Sequence, residues 1–128
     1  MYTEQAIERF KNAKNAGSLK GANAKGEVGN VQCGDVMKLY LRVGEGEVIE
    51  DAKFKTFGCV AAIISTDAVC DLIRGKTLEE ARGVTNADVL SLIGEVPAQK
   101  IHCSVMAQEV IEAAIKDYHK RIARAERG

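Results

Sequence analysis

Three cysteines far apart in the chain keep similar company: Cys33 in Gln32-Cys33-Gly34-Asp35, Cys59 in Phe57-Gly58-Cys59, and Cys103 in Lys100-Ile101-His102-Cys103. Each falls where the pattern predicts a turn or a helix start. Three soft sulfur donors with a histidine and a carboxylate nearby suit iron-sulfur or zinc chemistry, provided the fold gathers them. The spacing argues against a zinc finger, because there is no Cys-x-x-Cys pair and the gaps are long and unequal. It also argues against a permanent ferredoxin-type cluster, which takes four thiolates. Asp35 or His102 is left as fourth ligand, and a hard carboxylate oxygen suits a soft cluster poorly. A site of three thiolates and one weak ligand should hold a cluster and also let it go.

Cys59 and Cys103 are each expected at or just before a helix N-terminus, where unpaired N–H groups and the helix dipole favour an anion. The thiolate is both the metal ligand and the sulfur nucleophile, so this placement serves either use. Lys100 is a further candidate to lower the Cys103 pKa, against the simpler reading of a solvated lysine. Adjacent residues on a helix point apart, so His102 and Cys103 make a poor nucleophile-base pair, and a thiol hydrolase lacks its base. Asp35, taken alone, equally well caps a turn. Cys70 lies mid-helix at the edge of an apolar face and reads as packing. His119 sits among basic residues and reads as solvated.

These residues need elements to position them. Tyr2, Ala6, Ile7, Phe10 and Ala13 recur at helical spacing over 2–14, with Thr3 as N-cap. Asn15 to Gly29 holds four glycines and reads as a mobile loop, the part least able to pack, leading into a short strand near 28–32. Period two then sets in. Met37, Leu39, Leu41 and Val43 face one way and Lys38, Tyr40 and Arg42 the other. After a turn at 44–47, alternation resumes over 48–57 with Val48, Ala52 and Phe54 opposite Lys53 and Lys55, predicting an antiparallel hairpin.

Val60 to Arg74 reads as a helix with Ile64, Ala68, Ala61, Leu72 and Val69 on one face, Asp67, Asp71 and Arg74 on the other, and Gly75 as its C-terminal stop. Thr77 and Glu80 make a capping box for a short helix to about Arg82, and Asn86 is expected to cap another through Leu92, stopped by Gly94. After Pro97, the stripe Val110, Ile111, Ala114, Ile115, Tyr118, Ile122 and Ala125 marks a long final helix. Its basic end suits the negative pole of the helix dipole. The order predicts an α+β fold: an N-terminal helix, a small three-stranded antiparallel sheet, then several helices packed on it.

With 128 residues, the chain fits one domain, 1–128. Eighteen basic residues against eighteen acidic ones give no electrostatic footprint for nucleic acid or an anionic membrane. No stretch approaches the roughly 20 apolar residues of a transmembrane helix, and Met1 to Gln5 lacks the marks of a secretory signal. A cytoplasmic protein with free thiols is expected. The Gly44-Glu45-Gly46 turn lacks the strand-glycine-helix arrangement of a phosphate loop.

Three segments together carry a resemblance: Cys33-Gly34-Asp35-Val36-Met37-Lys38-Leu39, Ile49-Glu50-Asp51-Ala52-Lys53-Phe54-Lys55-Thr56-Phe57-Gly58-Cys59, and Lys100-Ile101-His102-Cys103-Ser104. In order and spacing they are similar to the signature segments of the iron-sulfur cluster assembly scaffolds, the IscU and NifU N-terminal domain family. The resemblance covers nearly the whole chain. It implies an IscU/SufE-like fold, and a nascent [2Fe-2S] cluster on Cys33, Cys59 and Cys103, with Asp35 promoting turnover and His102 as alternative ligand. It implies a cysteine desulfurase partner whose persulfide sulfur passes to Cys103, apo-protein acceptors, a ferredoxin as electron donor, and iron with zinc in the cluster-free form. Such a scaffold assembles rather than catalyses. Tyr2 matches a tyrosine linked to self-association, which implies a homodimer.

The chain departs from the family pattern in three places. The Leu-Pro-Pro-Val-Lys segment read by a dedicated Hsp70-type chaperone is Val96-Pro97-Ala98-Gln99-Lys100 here, which argues against that partner. The Asn-Pro-Arg-Asn segment is Asn12-Ala13-Lys14-Asn15, and the glycine after the middle cysteine is the bulkier Val60. The insertion that marks the zinc-binding SufU branch is not evident. The reading that competes with a cluster scaffold is a zinc-binding sulfur relay or structural zinc domain, for which the same ligands would serve.

Overall fold

The computed structural model describes residues 4–30, 35–58, 60–93 and 107–127. Helix α1 (Glu4–Lys11) is followed by strands β1 (Ala24–Asn30), β2 (Asp35–Val43) and β3 (Ile49–Phe57). Helices α2 (Val60–Ile73), α3 (Leu78–Arg82), α4 (Asn86–Ile93) and α5 (Ala107–Arg127) complete the described chain. The strands form one antiparallel sheet in the order β1-β2-β3. This is the predicted α+β arrangement.

The period-two pattern of β2 is borne out: Met37, Leu39, Leu41 and Val43 are buried, against α2 and α5. In β3 the alternation is shifted. A bulge between Arg42 and Val43 changes the register, so Val43 faces Ile49, and Ile49 rather than Val48 enters the core. The turn between them is a short 3-10 segment, Glu45–Glu47, with Gly46 at φ +69°. Ala52 and Phe54 are buried as expected.

The stretch read as a mobile loop is corrected most. Residues 24–30 form a full strand, and Asn15 is buried. The cause is long-range. A Cβ on Gly26 would meet the Val110 carbonyl oxygen and lie 2.6 Å from the Ala114 nitrogen. The glycine therefore lets α5 lie directly on β1. Asn15 is held by Asp67, donating its backbone N–H to Oδ1 at 3.1 Å and its Nδ2 to the Asp67 carbonyl at 3.1 Å.

Helix α2 lies between the sheet, α1 and α4. Asp67, read from spacing as part of its polar face, is instead 1% exposed. A carboxylate survives there because Arg9 Nη1 donates to Asp67 Oδ2 at 2.7 Å and to Asp71 Oδ2 at 2.8 Å. Arg74 extends the network, with Nη2 donating to Asn15 Oδ1 at 2.6 Å and to the Ala52 carbonyl at 3.0 Å, and Nε to Asp51 Oδ1 at 3.1 Å. Helix α1, the 12–17 segment, α2 and β3 are thereby tied together. Gly75, at φ +87°, ends α2 and donates its N–H to the Ile49 carbonyl.

The capping box of α3 is present: Glu80 N–H donates to Thr77 Oγ1, and Thr77 N–H to Glu80 Oε1. In α4 the expected cap is displaced by one residue. Thr85 and Asp88 form the reciprocal pair, and Asn86 begins the helix. Asn86 Oδ1 instead accepts the Ala107 N–H of α5 at 3.1 Å. Gly94 and Pro97 lie outside the described residues.

Candidate functional site

Register brings the described flanks of two signature segments to one end of the sheet. Asp35, the first residue of β2, pairs with Asn30 at the end of β1, and Val36 pairs with Phe57 at the end of β3. One end of the sheet therefore carries the start of β2 and the ends of its two neighbours. Paired Cα atoms sit about 5 Å apart, and two residues of chain reach at most about 7 Å. In sequence, Cys33 lies two residues before Asp35 and Cys59 two after Phe57.

The third segment is brought by α5. Asp117 Oδ2 accepts the Lys25 N–H at 2.9 Å, and Val110 and Ala114 lie against Gly26. As β1 runs forward from Lys25 towards Asn30, α5 therefore runs backward from Asp117 towards Ala107. The helix is antiparallel to the strand, and its N-terminus points to the end where Asp35 begins β2. A ten-residue length of helix spans about 15 Å, close to the five strand residues from Lys25 to Asn30 at about 3.3 Å each. His102 and Cys103 precede this N-terminus by a few residues.

Helix α2 also starts here. Val60 is its first residue, half-buried against the core, and the dipole of this 14-residue helix has its positive pole beside the Cys59 position. An anionic thiolate or cluster is favoured at such a pole. Cys33, Cys59, His102, Cys103 and the Asp35 side chain themselves lie outside the described residues, as do Tyr2 and the 96–100 segment.

The other sulfur and imidazole groups follow their plain readings. Cys70 is fully buried, and burial pushes its thiol pKa far up, with Asp67 adding to the effect. It is a packed, protonated side chain. His119 is exposed, with Nε2 3.4 Å from Glu47 Oε2. What the spacing did not reveal is the supporting network of Arg9, Asn15 and Asp67, which holds α2 on the sheet. The signal for it in sequence is weak, since Arg9 and Asp67 are 58 residues apart.

Comparison with known proteins points the same way. The model of the NifU-like N terminal domain matches residues 1–125. The chain is 45% identical over 118 residues to nitrogen fixation protein NifU of Azotobacter chroococcum, covering 91% of this chain but only 38% of that longer protein. It is 42% identical over 123 residues to the iron-sulfur cluster assembly scaffold protein IscU of Escherichia coli, covering 94% of this chain and 95% of that one. Among solved structures, SufU from Fervidobacterium islandicum superposes with a TM-score of 0.72 at 27% identity, over 89% of this chain and 96% of that one. The N-terminal NifU-like protein of Brucella abortus gives 0.69 at 17% identity, over 92% and 94%, a likeness of fold.

Proposed function

Because the chain belongs to the NifU-like N terminal domain family, we propose that it is a scaffold on which a [2Fe-2S] cluster is built from iron and persulfide sulfur and then passed to apo-proteins. The observation that carries this reading is the convergence at one sheet end of the start of β2, the end of β3 and the N-termini of α2 and α5. For each signature cysteine, a flanking element starts or ends there. Such a gathering suits a cargo held by Cys33, Cys59 and Cys103, with Asp35 or His102 completing the set.

Sulfur enters in two balanced steps. The Cys103 thiolate attacks the outer sulfur of a persulfide on a cysteine desulfurase; a new S–S bond forms, the old one breaks, and the desulfurase leaves as thiolate. The sulfane sulfur on Cys103 is then reduced to sulfide by two electrons, one from a ferredoxin-type donor and one from ferrous iron that becomes ferric as the sulfide joins it. Asp35, a hard donor at a soft centre, keeps the finished cluster exchangeable. Zinc fits the same donors in the cluster-free state, and a homodimer is the natural form in which two chains share or exchange a cluster. The names of the relatives favour the scaffold over a zinc domain that builds no cluster.

Anaerobic incubation with ferrous iron, cysteine, a cysteine desulfurase and a reductant tests this. The expected product is coloured, with the visible absorption and Mössbauer signature of a protein-bound [2Fe-2S] centre. Colourless protein holding one zinc per chain that resists exchange overturns the proposal.

A further inference from the structure

Among the described residues, helices cover only one face of the sheet. Side chains alternate across a strand, so the residues opposite the core lie in register rows on the other face. One row is Lys25, Tyr40 and Lys53, the next Glu27, Lys38 and Lys55, and the last Gly29, Val36 and Phe57. No described helix packs on these rows.

Three features of this face are costly for a free surface. Lys38 and Lys55 stand directly opposite each other, and like charges in that position are destabilising. Four lysines share the upper rows with one glutamate, in a chain of zero net charge. Glu27 reaches only Lys38, at 3.6 Å, while Lys25 and Lys55 have no carboxylate partner among the described residues. Phe57, at the end of the face, is 65% exposed. At the β3 edge, towards the helix-covered side, Phe57 also borders a groove of about 340 Å³ lined by Gly17, Phe54, Lys55, Thr56 and Ile63.

We propose that this outer sheet face docks an acidic protein partner. Carboxylates pair with Lys25, Lys38, Lys53 and Lys55, and an apolar side chain packs on Phe57. Lys25 and Lys55, without a carboxylate partner among the described residues, attract carboxylates at long range alongside Lys38 and Lys53, and a desolvated aromatic supplies the anchor. The face is continuous with the sheet end that carries Asp35 and Phe57. On the scaffold reading, which the purpose of docking rests on, an acidic acceptor held here has its own thiols beside the cluster.

The probe is a strongly acidic plant-type apo-ferredoxin, titrated into the isotopically labelled protein and followed by NMR. Amide shifts are expected at Lys38, Tyr40, Lys53, Lys55 and Phe57, with affinity falling steeply as salt rises. The double variant Lys53→Glu/Lys55→Glu is expected to bind about tenfold more weakly. It turns the Lys38–Lys55 repulsion into attraction, so its melting temperature should hold or rise. Phe57→Ser should lose affinity while keeping the salt dependence. Shifts confined to the helices, unchanged affinity in the double variant, or tighter binding of a single-stranded oligonucleotide on this face would each overturn the proposal. Cluster formation from ferrous iron and free sulfide, with no partner protein, is measured on the same samples. A wild-type chain that docks the ferredoxin here yet builds no cluster removes the scaffold reading and leaves the docking face standing.

Discussion

Asn86 Oδ1 accepts the backbone N–H of Ala107 at 3.1 Å, so the first turn of α4 caps the first turn of α5 across 21 residues of chain. The segment between these two residues contains His102 and Cys103. Its far end is thus pinned by one side chain on a separate helix. Replacing Asn86 by Ala should lower stability by about 1 kcal/mol, the usual cost of a lost N-terminal cap, with Asn86→Asp retaining most of it. Urea denaturation of the three proteins measures this. An unchanged midpoint for Asn86→Ala would remove the cap from the account.

Gly26→Ala should cost about 2 kcal/mol, because the new methyl group meets backbone atoms of Val110 and Ala114 rather than a yielding side chain. Differential scanning calorimetry reads the loss. Since α5 sets the position of the segment before Ala107, the variant should also slow persulfide transfer to Cys103, measured by mass spectrometry under native conditions.

Arg9→Ala leaves the Asp67 carboxylate at 1% exposure without its cation. Breaking such a pair from one side costs about 3 kcal/mol. The double change Arg9→Ala/Asp67→Asn should recover part of it, since the stranded charge is gone. Thermal melts of the two variants against wild type check the order.

The acid limit of stability follows from the same network. Burial by itself would raise the Asp71 carboxyl, but hydrogen bonds from Arg9 and Asn15, with the charges of Arg9 and Lys14, outweigh it and hold the pKa below 3.8. Asp51 is lowered likewise: burial opposes, and the Ala52 N–H and Arg74 prevail. A folded pKa below the unfolded one contributes stability that is present above the unfolded value and lost as pH falls through the folded one. Stability from these groups should therefore hold from neutrality to about pH 4 and decline below it. Asp71→Asn should flatten that decline, as read from urea midpoints across the acid range.

Asp35→Ala should make an assembled cluster longer-lived, by removing the hard oxygen that promotes exchange. The decay of visible absorbance after addition of a chelator measures it. Faster loss than in wild type would take Asp35 out of that role.

Much of this fold is legible locally. The β2 alternation, the Thr77–Glu80 capping box and the first half of the α5 stripe, Val110 to Ile115, form as read from neighbours within a few residues, whereas Ile122 and Ala125 at the far end of α5 are exposed. What escaped the sequence has remote causes. The bulge at Arg42 and Val43 moves Ile49 inward in place of Val48. Gly26 looks like a loop glycine until α5, more than eighty residues later, lies on it. Asp67 belongs by spacing to a polar face, and its burial depends on Arg9 from another helix. For the site, motif order alone proposes Cys33, Cys59 and Cys103 as ligands. The structure adds why their flanking elements meet, through strand register and the antiparallel run of α5 against β1.

The burial of Cys70 has a consequence for sulfur traffic. Sulfane sulfur hops between thiolates, and any reactive bystander thiol in the same molecule would divert it into dead-end disulfides or misplaced persulfides. Sealed at 0% exposure with its proton held firmly, Cys70 takes no part in that exchange. On the proposed scaffold role, the core insulates this thiol, so sulfur delivered to the chain is reserved for the signature cysteines.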